Sequence, residues 1–361
     1  MIVAGIDCGT NSIRLLIADI DKDGRVTQEF HRDMQIVRLG QDVDKNGYFV
    51  PEAVERTLTA VDDYARLCTT YGVESVRFAA TSATRDASNR DIFLEGVHAR
   101  MGIYPQVLSG EEEAQTSFAG AISARQLYDA PVTDAARNSS TNAVENANDT
   151  KPCDPALSTT NHSDAETILV IDVGGGSTEL VLGTDQGQVL QAFSMNVGSV
   201  RMKERHFRND PPLLEEICSA RKDIHRALDE AEAHVDIGRA QHIIGVAGTV
   251  TSVTAAHLKL ETYDSSRVHG TAMSIADITA QCEWYIAATA EERAALGFMH
   301  PGRVPVIGAG ALVWETVVER IVQRCAERGT KISHVTTSEY DILDGLALWA
   351  AREPQPWKPM I

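Results

Sequence analysis

Residues 2–8 and 13–20 are apolar runs joined by the small polar stretch "CGTN", a pattern that predicts two strands and a hairpin turn. "RVTQEFHRDMQIVRLG" continues with strand-like alternation. "PEAVERTLTAVDDYARLCTTYG" then places Val54, Leu58, Val61, Ala65 and Leu67 at roughly helical spacing behind Pro51, a residue suited to a helix start. "VRFAAT" predicts a strand running into a polar loop, and "NRDIFLEGVHARMG" a helix ending at Gly102. "YPQVLSG" predicts a strand and turn. "EEEAQTSFAGAISARQL" predicts a helix whose first-turn acids suit the helix dipole.

The pattern then breaks. Residues 129–166 are rich in Asn, Asp, Ser, Thr and Ala with almost no large apolar side chains, the composition of a linker or low-complexity insertion. Beyond it the chain restarts: "ETILVIDVGGGSTELVLGTDQGQVLQAFSM" predicts strand, glycine turn, strand, turn, strand. "IDCGTNSIRL" and "IDVGGGSTEL" align without a gap, and their acids Asp7 and Asp172 stand about 165 residues apart. An amphipathic helix over 212–234, a strand "HIIGVAG", and a helix from Thr249 follow. "VPVIGAGALVWETVVERIVQRCA" reads as a glycine turn opening a long helix, and "ISHVTTSEYDILDGLALWAA" as strand, loop and closing helix. The expected organisation is an N-terminal domain over 1–128, the insertion over 129–166, and a second domain over 167–361 whose last helix returns to the first. The fold class is α/β, two duplicated domains facing a cleft.

Net charge sharpens this picture. At −18 over 361 residues the surface repels nucleic acid and anionic membranes, so an anionic substrate needs a local cationic patch. The start lacks the charged region of a signal peptide, and no run approaches the ~20 apolar residues of a membrane span. These features predict a cytoplasmic protein. The six cysteines form no C-x-x-C pair, which fits reduced thiols.

Small-residue turns expose successive backbone N–H groups, a nest that suits phosphate oxygens. Two such turns from two domains can clamp one phosphate chain. An aspartate just before each turn cannot bind phosphate directly. Its chemistry suits a divalent cation that bridges to phosphate. The plain alternative for one copy is an Asp-Gly tight turn, and the repetition of the pattern argues against it.

The pair "DCGTNSIRL" and "DVGGGSTEL" resembles the phosphate loops of the actin/Hsp70/sugar-kinase superfamily. With "ATSATRDASN", "SGEEEA" and "GVAGTVTS" in order, the chain is similar to the exopolyphosphatase and guanosine pentaphosphate phosphohydrolase family. The resemblance covers most of the chain and implies two ribonuclease-H-like (actin-like) domains, without the C-terminal helical hydrolase domain of longer members.

The resemblance implies catalytic roles for Glu113 and Glu112, with Glu113 orienting the attacking water and Glu111 left without a role. It implies phosphate binding by Thr10, Asn11, Ser12, Arg85, Gly174, Gly175, Gly176, Ser177, Gly248 and Thr249, and metal binding by Asp7, Asp172 and Glu179. Arg14 stands between an exposed strand arginine and a phosphate ligand. Arg201, Lys203, Arg205, His206 and Arg208 offer either a basic track or a solvated helix face. Arg267 and His269 lie near a family-like position.

The implied reaction is release of terminal orthophosphate from inorganic polyphosphate, assisted by Mg²⁺ or Mn²⁺ and with a monovalent cation such as K⁺ as a further expectation. Guanosine pentaphosphate is the alternative substrate, and a non-catalytic polyphosphate or alarmone sensor the non-enzymatic alternative. A homodimer and a preference for shorter chains complete the expectations. A kinase or peptide chaperone of the same superfamily would need inserts the chain does not display, and none of its eleven histidines forms H-x-x-x-H.

Overall fold

The computed structural model describes residues 1–128 and 165–359, with the side chains of 124–128 left aside. All but the last two residues of the expected insertion therefore lie outside the described residues. Two sheets make up the molecule. The first runs β3-β2-β1-β4-β5, from β1 (Ile2–Cys8), β2 (Ser12–Ile20), β3 (Val26–Ile36), β4 (Ser75–Ala80) and β5 (Gln106–Val107). The second runs β10-β11-β9-β6-β7-β8, from β6 (Thr167–Val173), β7 (Thr178–Thr184), β8 (Val189–Met195), β9 (His242–Val246), β10 (Ala272–Ser274) and β11 (His334–Thr337). The duplication is visible in the pairing: β1 is antiparallel to β2 and parallel to β4, and β6 is antiparallel to β7 and parallel to β9.

The inner strands β1, β4, β6 and β7 are buried on both faces, which explains the near-continuous apolar runs of β1 and β6. On β1, the alternate residues Ala4, Ile6 and Cys8 pack with the helices Pro51–Thr70 and Asp91–Met101. The opposite face, with Val3, Leu16, Ala18 and Ile20, meets Leu343, Ala347 and Leu348 of the helix Ile342–Arg352. A Cβ on Gly5 would lie 2.9 Å from both the Leu343 oxygen and the Ala347 nitrogen, so only glycine lets that helix sit directly on the strand. In the second sheet, Leu169, Ile171, Leu180 and Leu182 face the main core around Trp314, while Ile168, Val170 and Val181 face Phe118, Ala121 and Ile122.

Those last three residues belong to the helix Gly110–Tyr128, which precedes the insertion. The helix expected within the N-terminal domain thus covers the second sheet, while the closing helix Ile342–Arg352 covers the first. The two helices cross closely: a Cβ on Gly120 would fall 1.8 Å from the Asp341 carbonyl oxygen, and one on Gly345 2.1 Å from that of Thr116. Beyond the closing helix, Trp357 is buried among first-sheet residues and donates from Nε1 to the Met101 carbonyl at 2.8 Å.

One predicted turn is helical instead. Gly308 and Gly310 lie inside the helix Ile307–Glu327. A Cβ on Gly310 would stand 2.5 Å from Thr249 Oγ1 and 3.0 Å from Ser199 Cβ, so these glycines serve close packing. No helix of the described residues is long and apolar enough to cross a membrane.

Candidate active site

The two hairpins meet between the sheets. Gly9 N–H donates to the Ser12 carbonyl at 2.9 Å, and Gly174 N–H to that of Ser177 at 3.0 Å. The next amides, of Thr10, Asn11, Gly175 and Gly176, donate to no acceptor among the described residues, which leaves them available to an anion. None of Gly174, Gly175 and Gly176 takes a left-handed conformation. Their lack of a side chain serves close approach: a Cβ on Gly176 would lie 2.5 Å from Thr10 Oγ1 and 2.6 Å from Ser82 Oγ. One on Gly175 would lie 3.1 Å from Thr10 Cβ. The glycine run lets the two loops touch each other.

A cleft of about 780 Å³ opens beside this contact. Of the expected residues, Asp7, Thr10, Asn11, Ser12, Glu113, Asp172, Gly174, Gly175, Ser177, Glu179, Gly248 and Thr249 line it. Three others stand apart. Gly176 lies behind the loop contact, beside Arg201. Arg85 is bound to Glu113, donating from NH1 to Oε2 at 2.5 Å and to the Leu108 carbonyl at 2.9 Å. Glu112 faces solvent and caps its helix: its carboxylate accepts from Ser109 N–H at 2.8 Å while Ser109 Oγ accepts from Glu112 N–H at 3.2 Å. This reciprocal cap gives Glu112 a structural role at the start of its helix, outside the cleft lining.

The helix Gly110–Tyr128 presents Glu113 and, one turn on, Ser117 to the cleft side. Ser117 Oγ donates to Asp172 Oδ2 at 2.6 Å. Glu179 accepts from Ser194 Oγ at 2.7 Å. Burial raises Glu113, against the pull of Arg85. It raises Asp172 to about 7, with Asp341 adding to the effect and Ser117 opposing it. Burial also lifts Glu179 well above the usual carboxylate range, reinforced by Glu113 and Asp172. Three mutually repelling buried carboxylates thus line one wall.

Asp7 is different. Arg14 reaches it from Nε at 3.0 Å and NH2 at 2.7 Å, and extends NH1 to Asp341 Oδ2 at 2.5 Å. A carboxylate committed to a guanidinium is a poor metal ligand, so the expected metal role of Asp7 does not match its surroundings. Asp172 and Glu179 are instead paired with hydroxyl donors and have no guanidinium bonded to them among the described residues. Among the described residues, no group of three His, Cys, Asp or Glu side chains could hold an ion by itself.

Sequence reasoning missed Arg303. It is buried against Gly248, donates from NH1 to Ser252 Oγ at 2.9 Å, and makes no salt bridge among the described residues. Burial lowers its pKa, and the charge of nearby Glu339 offsets this only in part. It lines the cleft as a cation without a salt bridge among the described residues, and "PGRVP" carries no local sign of that position. Ser117 was within reach, four residues after Glu113 on the same helix face. Of the five residues offered as a basic track or a solvated helix face, three are paired with acids: Arg201 with Asp44 and Asp86, Arg205 with Asp44 and Asp223, and His206 with Asp223.

Two α/β lobes with paired glycine hairpins at their junction define an actin-like fold built around phosphate chemistry. The Ppx/GppA phosphatase family model matches residues 16–134 and 156–331, and the chain belongs to that family. It is 39% identical to Exopolyphosphatase 2 of Mycobacterium tuberculosis, over 96% of this chain and 97% of that protein. The crystal structure of an exopolyphosphatase-like protein superposes with a TM-score of 0.82 at 40% identity, covering 98% of this chain and 100% of the other. The guanosine-5'-triphosphate,3'-diphosphate pyrophosphatase of Pseudoalteromonas atlantica is 28% identical over 70% of this chain and 42% of its own length.

Proposed function

We propose that this chain is an exopolyphosphatase, a phosphoanhydride hydrolase that releases terminal orthophosphate from inorganic polyphosphate. The observation that carries the reading is Glu113, buried on the cleft wall, held by Arg85, and facing two glycine hairpins with free amides. A raised carboxylate pKa brings a general base closer to neutral pH. The amides of Thr10, Asn11 and Gly175 hold phosphate oxygens, and Arg303 takes the negative charge of the next phosphate. Glu113 accepts a proton from water as its oxygen attacks the terminal phosphorus. The bond to the bridging oxygen breaks, and orthophosphate and the shortened chain leave. Asp172 and Glu179 would hold a divalent cation, Mg²⁺ or Mn²⁺, which supplies charge neutralisation on phosphate oxygens when bound. Catalysis is mostly positioning and charge stabilisation.

One observation supports guanosine pentaphosphate as a second substrate. A hollow of about 1340 Å³ shares Arg14, Met34, Ala247, Gly248 and Arg303 with the cleft and adds Tyr263, Phe298 and Met299. Apolar and aromatic walls beside a phosphate site suit a nucleoside. The test is phosphate release with Mg²⁺, side by side on polyphosphate and guanosine pentaphosphate. Glu113→Gln is expected to lower it about a thousandfold. Release from the nucleotide alone would move the assignment to alarmone hydrolysis. Binding of both without release would make the chain a sensor.

A further inference from the structure

The short helix Ser82–Asp86 lies where the two lobes and the site converge. Ser82 Oγ shares a hydrogen bond with Thr10 Oγ1 of the first hairpin at 3.0 Å. Arg85 holds Glu113. Asp86, the next residue, accepts from Arg201 NH2 at 2.5 Å. Arg201 comes from the opposite lobe, on the helix Ser199–His206. Its Nε donates to the Gly176 carbonyl of the second hairpin at 2.6 Å, and its NH1 pairs with Asp44. That helix is itself built onto the second hairpin. Ser199 N–H donates to the Gly174 carbonyl at 3.0 Å and Val200 N–H to that of Gly175 at 2.8 Å. Arg205 adds two bonds to Asp44, at 2.7 and 2.8 Å, and Glu204 accepts from Asp42 N–H at 3.2 Å.

We infer that Arg201 is a positioning residue that sets the catalytic glutamate through Asp86 and Arg85 of the first lobe, while fixing the second phosphate loop. A buried guanidinium offers five donors in a rigid plane, so one side chain can fix a carbonyl and two carboxylates at once. Its three arms end on the second hairpin, on the helix Val43–Asn46 and on the helix that carries Arg85. A shift of the lobes that breaks the Asp86 arm frees the Arg85 helix, and Glu113 loses its orientation. Water activation is thereby tied to the lobe register that also brings the two hairpins together. The Asp44 arm holds the register, because Arg205 shares that carboxylate. The Asp86 arm transmits it.

The inference rests on Glu113 as the base, and its test separates the two claims. Asp86→Asn, Arg201→Gln and their double variant are compared with wild type in steady-state phosphate release from polyphosphate. Amide exchange is followed in the same four proteins over residues 82–87 and over 199–202, whose amides bond to the second hairpin and its neighbour Gly198. Misplacing a base by part of an ångström costs rate before it costs affinity, so Asp86→Asn is expected to lower kcat about tenfold with KM nearly unchanged, and Arg201→Gln, which also releases the second phosphate loop, to lower kcat at least as far and to raise KM. The double variant is expected to be no slower than Arg201→Gln, because both changes cut one path. Arg201→Lys, which keeps the charge without the fork, is expected not to restore kcat. Exchange is expected to quicken in both segments in Arg201→Gln and in the 82–87 segment in Asp86→Asn.

A normal kcat in Asp86→Asn, additive losses in the double variant, or an Arg201→Gln exchange change confined to one lobe would each overturn the inference. Asp86 is 37% exposed in its side chain, so Asp86→Asn decides the matter if Arg201→Gln does not fold. Absence of phosphate release by the wild type would defeat the reaction proposed for Glu113, and the exchange data would still decide whether Arg201 couples the two segments.

Discussion

The two hairpins share a register and differ in charge. In the first, Asp7 lies opposite Arg14; in the second, Asp172 lies opposite Glu179. Every other shared feature of the motif is retained: the aspartate ending the first strand, the glycine turn, the serine, and the leucine on the returning strand. One position separates a self-neutralised pair from two like charges in a buried wall. Duplication thus yields one lobe whose acid is bonded to a guanidinium and one whose two acids are bonded to hydroxyls. The first network runs from Asp7 through Arg14 to Asp341, the N-cap of the closing helix, and so ties the hairpin to the far end of the chain.

Making the hairpins alike should break this division of labour. Glu179→Gln or Asp172→Asn removes charge from the second hairpin and is expected to lower phosphate release about a thousandfold while leaving thermal stability equal or higher. Parallel kinetics and melting curves check it; a variant that loses stability in proportion would refute the cation-binding assignment. The complementary change is Arg14→Met, which strands Asp7 and Asp341 as unpaired buried acids. Its main expected effect is on folding, a loss of about 3 kcal/mol in denaturant unfolding.

The pH dependence sharpens the comparison further. Asp172 titrates near 7 in the folded protein against an ordinary value of 3.8. The folded state then holds a proton that the unfolded state has released, so this group's contribution to stability falls as pH rises between those values. Without divalent ions, the difference in Tm between Asp172→Asn and wild type should grow in favour of the variant from pH 4 to pH 7. Saturating Mg²⁺ should shrink that difference, and a gap independent of both pH and Mg²⁺ would contradict it. The smallest effect concerns the neighbour of the proposed base. Glu112→Gln is expected to cost about 1 kcal/mol or less of stability through its cap and to keep kcat within about twofold. A kcat loss matching that of Glu113→Gln would return Glu112 to the chemistry.

Local patterns revealed most of what is local. The hairpins, their acids and the helix bearing Glu113 each occupy a continuous stretch whose spacing states the geometry. What stayed hidden depends on packing between distant stretches. Arg303 reaches the cleft because Gly248 makes room for its guanidinium, and nothing near either residue signals the other. Arg201 looked like part of a basic track until folding set Asp44 and Asp86 against it. Gly308 and Gly310 resembled a turn, because a close helix contact and a turn both ask for glycine. Glu111, Glu112 and Glu113 are indistinguishable as letters. Only the helix phase, which turns one inward to Arg85 and another back to Ser109, separates them.

The exchange of covering helices also orders events during synthesis. The helix Gly110–Tyr128 emerges before any strand of the sheet it covers exists. The helix Ile342–Arg352 and Trp357, which close the first sheet, emerge after the whole second sheet. Neither lobe can be finished in isolation by a growing chain. The nascent first sheet must wait with one apolar face open until the closing helix is made, and the site assembles only when both lobes close together.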